Sequence, residues 1–144
     1  MTLTDILCMS INCLALSYGG YTDWKRREIP NFVPFTLLLT GILHWKTIPL
    51  RLFCMAVTIL ILRLSAKLSK SQLPGGDFKL LSALAFSAGP AVTLTVTALT
   101  GLASAVVGLI AGKPIHRSIP LCAYVCPAYP AALGILYFFL PLLP

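Results

Sequence analysis

Six apolar segments mark out the chain, over about 3–22, 30–45, 48–64, 78–94, 95–112 and 119–142. A helix that crosses a bilayer needs about 20 mostly apolar residues, and somewhat fewer inside a bundle, so each segment has the length to span. The pattern predicts an all-α, polytopic bundle of about six transmembrane helices. Its least defined boundary lies between the fourth and fifth segments, where Gly89-Pro90 is the sole punctuation. The connections are short and polar, from Asp23 to Glu28, His44 to Thr47, Ser65 to Gly76 and Gly112 to Ser118. No soluble domain fits between the segments and no internal repeat is present, so residues 1–144 read as a single membrane-embedded domain.

Composition identifies the solvent. Hydrophobic residues fill 58% of the positions against 10% charged, and the mean hydropathy is +0.89. Eleven Lys and Arg with four Asp and Glu could hardly cover a soluble domain of 15.5 kDa, so lipid is expected around most of the chain. The net charge of +7 sits in short clusters beside apolar runs rather than along one amphipathic face, which argues against a nucleic-acid partner.

Short cytoplasmic loops retain Lys and Arg, so the cations orient the bundle. With alternating topology, Lys25, Arg26, Arg27, Arg63, Lys67, Lys70, Lys79, Lys113 and Arg117 share the cytoplasmic face, and Lys46 and Arg51 lie opposite. Both termini are then non-cytoplasmic, in a multi-pass protein of the cell's inner (plasma) membrane. The first apolar run has no basic stretch ahead of it and is expected to stay in the mature chain. Cys8, Cys13, Cys54, Cys122 and Cys126 lie in apolar stretches without a CxxC pair or a zinc spacing to His, so they read as small core residues and no metal is expected.

The acids are few enough to weigh singly. Asp5 reads as an interfacial residue at a helix start, and Glu28 as the solvated partner of the three cations before it. Asp23 closes the first segment, ahead of Lys25-Arg26-Arg27 and Ile29-Pro30-Asn31; alone it would read as a partner of Arg27. Asp77 follows Gly75-Gly76, so a glycine turn delivers it to the start of a helix, where alone it would read as a cap. Together the two acids reach the same membrane boundary from distant parts of the sequence. Two carboxylates that share one proton can hydrolyse a peptide bond, the ionised one taking a proton from water and the neutral one donating to the carbonyl oxygen. Asp23 and Asp77 are therefore the candidate catalytic pair.

These segments resemble the signature of the type IV prepilin peptidases, membrane aspartyl proteases of the GxGD class. Asp23-Trp24-Lys25-Arg26-Arg27-Glu28-Ile29-Pro30-Asn31 reproduces their first motif, an Asp at a helix end, a basic stretch and then Ile-Pro-Asn. Pro74-Gly75-Gly76-Asp77-Phe78-Lys79-Leu80 stands in place of the second, Gly-x-Gly-Asp followed by Lys and Leu, with Pro74 where the first Gly belongs. The two motifs cover some sixteen residues, and Ile119-Pro120 with Ala131-Ala132-Leu133-Gly134 is similar to the last helix of these enzymes.

The resemblance implies a GxGD aspartyl protease-like bundle that removes the basic leader from a prepilin or pseudopilin precursor without a cofactor. Absence of the two CxxC pairs of larger, methylating relatives implies the short, cleavage-only branch serving Tad-type pili. Around the pair, Gly75 and Gly76 either form only the turn or shape the site, and Pro30 and Asn31 either open and cap the second helix or do the same. Lys79 either snorkels to lipid headgroups or tunes Asp77.

Two further readings stand beside the protease. A non-catalytic scaffold of a pilus or secretion system is the main one, with Pro74 as its best argument. A small proton-coupled transporter is the other, though neither inverted repeats nor matched interrupted helices are present. Serine and metalloprotease readings fail because no HExxH occurs and His44 and His116 fall in polar connections without a nucleophile motif.

Overall fold

An apolar run in an apolar solvent satisfies its backbone only by closing hydrogen bonds along itself, and helices are what form. A computed structural model describes residues 3–44, 47–69, 75–110 and 121–139. In order these give α1 (Leu3–Arg26), α2 (Phe32–Ile42), α3 (Ile48–Ser69), α4 (Gly75–Ile110) and α5 (Leu121–Phe139). Pro74, His116, Lys46, Lys70, Lys113, Arg117 and the expected opening of the last segment at Ile119-Pro120 lie outside the described residues.

Helix ends depart from the hydropathy boundaries for local reasons. α1 runs on to Arg26 because Arg27 takes the left-handed conformation (φ 56°) that stops a helix, its N–H donating to Asp23 O at 3.0 Å. Asp23 thus belongs to the last turn of a helix, not to a loop. α2 starts after the Pro30-Asn31 lead-in and is shorter than the apolar run that contains it. Gly75 and Gly76, expected as a turn, are the first residues of α4.

α4 corrects the expected boundary near residue 94. Gly89 has φ 79° and ψ 175°, a conformation open to glycine and foreign to a helix. Thr93 Oγ1 then reaches Leu84 O at 3.5 Å. Nine residues of unbroken helix rise about 13.5 Å, so the chain folds back at Gly89 into two arms, 75–88 and 90–110. Val96 of the second arm accordingly shares a core with Leu80, Ala83 and Leu84 of the first. Pro90 lacks the N–H that would have continued the ladder to Phe86. Arg51, from the first turn of α3, fills that gap: its guanidinium donates to Phe86 O at 3.1 Å and to Ser87 O.

α1 packs on α5 and α2, α4 packs on α2, α3 and α5, while α2 and α3 barely touch. The centre is dry, with Leu16, Leu37, Leu80, Leu84, Val33 and Val125 fully buried. Toward the end that holds Asp5, a buried polar clip joins α1, α2, α4 and α5. Thr40 Oγ1 donates to Asn12 Oδ1 at 2.7 Å, and Asn12 Nδ2 donates to Ser87 Oγ at 2.8 Å and Tyr129 Oη at 3.3 Å. Asp5, expected only to sit at a helix start, pairs with His44 Nε2 at 2.9 Å. From Asp5 to Asp23 α1 rises about 27 Å, close to the thickness of a hydrocarbon core.

The outer surface is apolar, with Leu14, Phe53, Leu94, Leu102, Leu109 and Phe138 all exposed, as a lipid-solvated protein requires and a water-solvated one avoids. By length and apolarity alone, two stretches among the described residues are long enough to cross a membrane, Leu121–Phe138 and Gly75–Val107, the latter counted without its fold at Gly89, and Phe32–Ile42 is a shorter apolar helix.

Candidate active site

Asp23 is built into the bundle rather than presented to solvent. Its side chain is 5% exposed, and Oδ2 accepts the Cys122 backbone N–H at 2.9 Å. Cys122 lies in the first turn of α5, where backbone N–H groups lack partners within their own helix. Asp23 supplies one from another helix, and the positive end of the α5 dipole faces a carboxylate. The approach is possible because α1 carries glycine at its contact with α5. A Cβ on Gly20 would lie 3.1 Å from Cys126 Cβ and 3.3 Å from Cys122 O, and one on Gly19 would lie 2.9 Å from Cys122 Sγ.

Asp77 lies in the first turn of α4. Helical spacing places it on the face of Leu80, Leu81 and Leu84, all buried, so the carboxyl looks toward the core and not toward lipid. α1 and α4 make little direct contact, being joined through α2 and α5.

The residues after Asp23 and those around Asp77 are held together. Gly76 packs on Ile29, a Cβ there lying 3.5 Å from Ile29 Cβ. Lys79 Nζ donates to Asn31 Oδ1 at 3.4 Å, so Asn31, placed as the cap of α2, makes no side-chain cap bond and faces the second motif. Pro30 contributes its carbonyl, which accepts the Val33 N–H at 3.0 Å and starts α2. Gly75 is exposed, and a Cβ there meets nothing within 4 Å. Among the described residues no group of three His, Cys, Asp or Glu gathers to hold a metal ion.

The Cys122 amide and the Gly19-Gly20 pair escaped sequence reasoning. The signal available was a pair of small residues one turn before Asp23 on an otherwise bulky helix.

An all-helical bundle with an apolar exterior and long apolar helices is the architecture of a membrane protein. The chain matches the type IV leader peptidase family over residues 10–112, which is more than half of its 144 residues, and it belongs to that family. No curated protein and no solved structure matches it. The family is one of proteases acting on prepilin-like precursors.

Proposed function

We propose that this chain is an aspartyl endopeptidase that removes the basic leader from prepilin or pseudopilin precursors, with Asp23 and Asp77 as its catalytic pair. The observations that support this reading are the tie of Asp23 to the start of α5 and the contacts of Gly76 with Ile29 and Lys79 with Asn31, which bring the first turn of α4, with Asp77, against the residues that follow Asp23. Two carboxyls that share a site favour a state in which the pair holds one proton. The ionised carboxylate takes a proton from water as the water attacks the scissile carbonyl, and the other donates its proton to the carbonyl oxygen. With Oδ2 of Asp23 engaged by the Cys122 amide, Oδ1 is the oxygen that meets water. Contacts of Gly76 with Ile29 and of Lys79 with Asn31 hold the first turn of α4 in register with the end of α1.

Topology is part of the proposal. Counting the arms of α4 separately, six helices are embedded in the inner membrane as one domain, α2 and the first arm of α4 as short ones, the acids lie at the cytoplasmic boundary, and both termini lie outside the cytoplasm. A proton-coupled transporter would need a polar path between the two ends of the bundle. Between Asn12 and Asp23 the inner face of α1 carries Ala15 and Leu16, the latter fully buried against the core that includes Leu80 and Leu84, which disfavours that reading.

The test is leader removal by protein reconstituted in lipid with a precursor carrying a basic leader and an apolar helix. Asp23→Asn and Asp77→Asn each abolish cleavage in this account, while Asp5→Asn and Glu28→Gln keep most of it. Retained cleavage in either aspartate variant contradicts it.

A further inference from the structure

A substrate with an apolar helix of its own must bring the bond beside that helix to Asp23 and Asp77. Two apolar grooves on the surface each have a wall residue within one turn of Asp77, Leu81 in one and Phe78 in the other, and they differ in which face of α4 they follow.

The first lies between α3 and the second arm of α4. It holds about 310 Å³ near Ile61, Thr97 and Gly101 and continues, through Thr58, Thr93 and Leu94, into a further cavity of about 220 Å³ beside Leu50 and Pro90. From Pro90 to Ser104 the second arm rises about 21 Å, most of the thickness of a hydrocarbon core. Leu81 and Leu121 also line it. Leu81 sits one turn from Asp77 on the same helix face, and Leu121 directly precedes the Cys122 amide that holds Asp23. The groove therefore leads to the two acids.

Its wall suits a helix rather than a lipid chain alone. Thr97 and Ser104, partly exposed, and Thr93 and Thr100, buried behind them, turn their hydroxyls back onto carbonyls of α4 at 2.9, 2.8, 2.7 and 2.7 Å. A Cβ on Gly101 would meet nothing within 4 Å. Small residues with satisfied hydroxyls let a second helix backbone approach closely where burial from water gives no driving force.

The second groove, of about 400 Å³, is lined by Asn31, Phe35, Met55, Phe78, Lys79 and Ser82. At 100° per residue, Phe78, Lys79 and Ser82 centre on the side of the first arm opposite Asp77. A helix seated there would lie on the side of the first arm turned away from Asp77.

We propose that the groove between α3 and the second arm of α4 seats the apolar helix of the precursor, an assignment that rests on the leader-peptidase reading. The occupant is a single helix of about 20 apolar residues, long enough to fill the groove from Leu50 to Leu121.

The test places a photo-crosslinker in the full-length protein in phosphatidylcholine nanodiscs, as Leu94→benzoylphenylalanine in the first groove or Phe35→benzoylphenylalanine in the second. Both positions are exposed, at 68% and 57%, so neither replacement disturbs the core. The probe is a synthetic precursor with a basic leader, a glycine and about 20 apolar residues. The expected result is an adduct at position 94 about tenfold above that at position 35, reduced about tenfold when Gly101→Leu fills the groove. A dominant adduct at position 35, an adduct only with a second copy of this chain, or no adduct at position 94 overturns the assignment. Cleavage by wild type without an adduct at position 94 defeats the groove and spares the protease. An adduct there without cleavage does the reverse.

Discussion

The carboxylate of Asp23 holds the backbone amide of Cys122, 99 residues further along the chain, at 2.9 Å. One of the two proposed catalytic acids is therefore oriented by a backbone donor that side-chain substitution leaves in place. Cys122→Pro removes the N–H, and proline is tolerated in the first turn of a helix. A hydrogen bond to a charged group contributes about 1.5–3 kcal/mol, so leader cleavage by Cys122→Pro is expected to fall roughly ten- to a hundredfold. Cys122→Ala, which keeps the amide, loses far less. Initial rates of the two variants in lipid decide this.

Gly20 sets how near α5 comes to α1. A larger side chain meets Cys126 Cβ and the Cys122 carbonyl, neither of which can swing away. Gly20→Val is expected to destabilise the protein by about 1–3 kcal/mol in denaturant titrations in detergent, and to lower activity by parting Asp23 from its donor. Gly101→Ala, inside a helix and facing open space, is expected to raise stability by about 0.5–1 kcal/mol.

Arg51 caps the carbonyls of Phe86 and Ser87 that the fold-back at Gly89 sets free. Arg51→Met keeps the stem and leaves those acceptors without the guanidinium, at a cost of about 2–4 kcal/mol in unfolding free energy. Arg51→Lys, with a single donor centre, restores part of it.

Lys79 and Asn31 join the two motifs by a long hydrogen bond at an exposed site. Its contribution is expected to be small, about 0.5–1 kcal/mol of coupling in a double-mutant cycle of Lys79→Met and Asn31→Ala read by thermal unfolding. A coupling near zero would leave the Gly76 contact with Ile29 as the main tie between these segments.

The apolar runs and both acid motifs were legible because hydropathy and local spacing are written residue by residue. The place where α4 folds was not, because residues 84–96 are apolar on both sides of the turn and only Gly89-Pro90 marks it; the glycine is decisive through its positive φ, which composition does not register. The partners of polar residues were equally hidden. Asp5 with His44, Asn12 with Ser87 and Arg51 with Phe86 are tertiary pairings, and each residue alone reads as an interfacial or core position. Asp23 shows the same limit. Its spacing to Ile29-Pro30-Asn31 marked it as a candidate, while its hold on α5 depends on Gly19 and Gly20, whose meaning appears only once α5 is packed against them.

Cleavage rates of Asp23→Asn, Asp77→Asn and the double variant on one precursor test most directly whether the two acids work as a unit. Residues that share one proton and one water fail together, so each single variant and the double are expected to fall to the same floor, at least about a thousandfold below wild type. Losses that multiply in the double variant, or a single variant that still removes the leader at a wild-type rate, would contradict the pair.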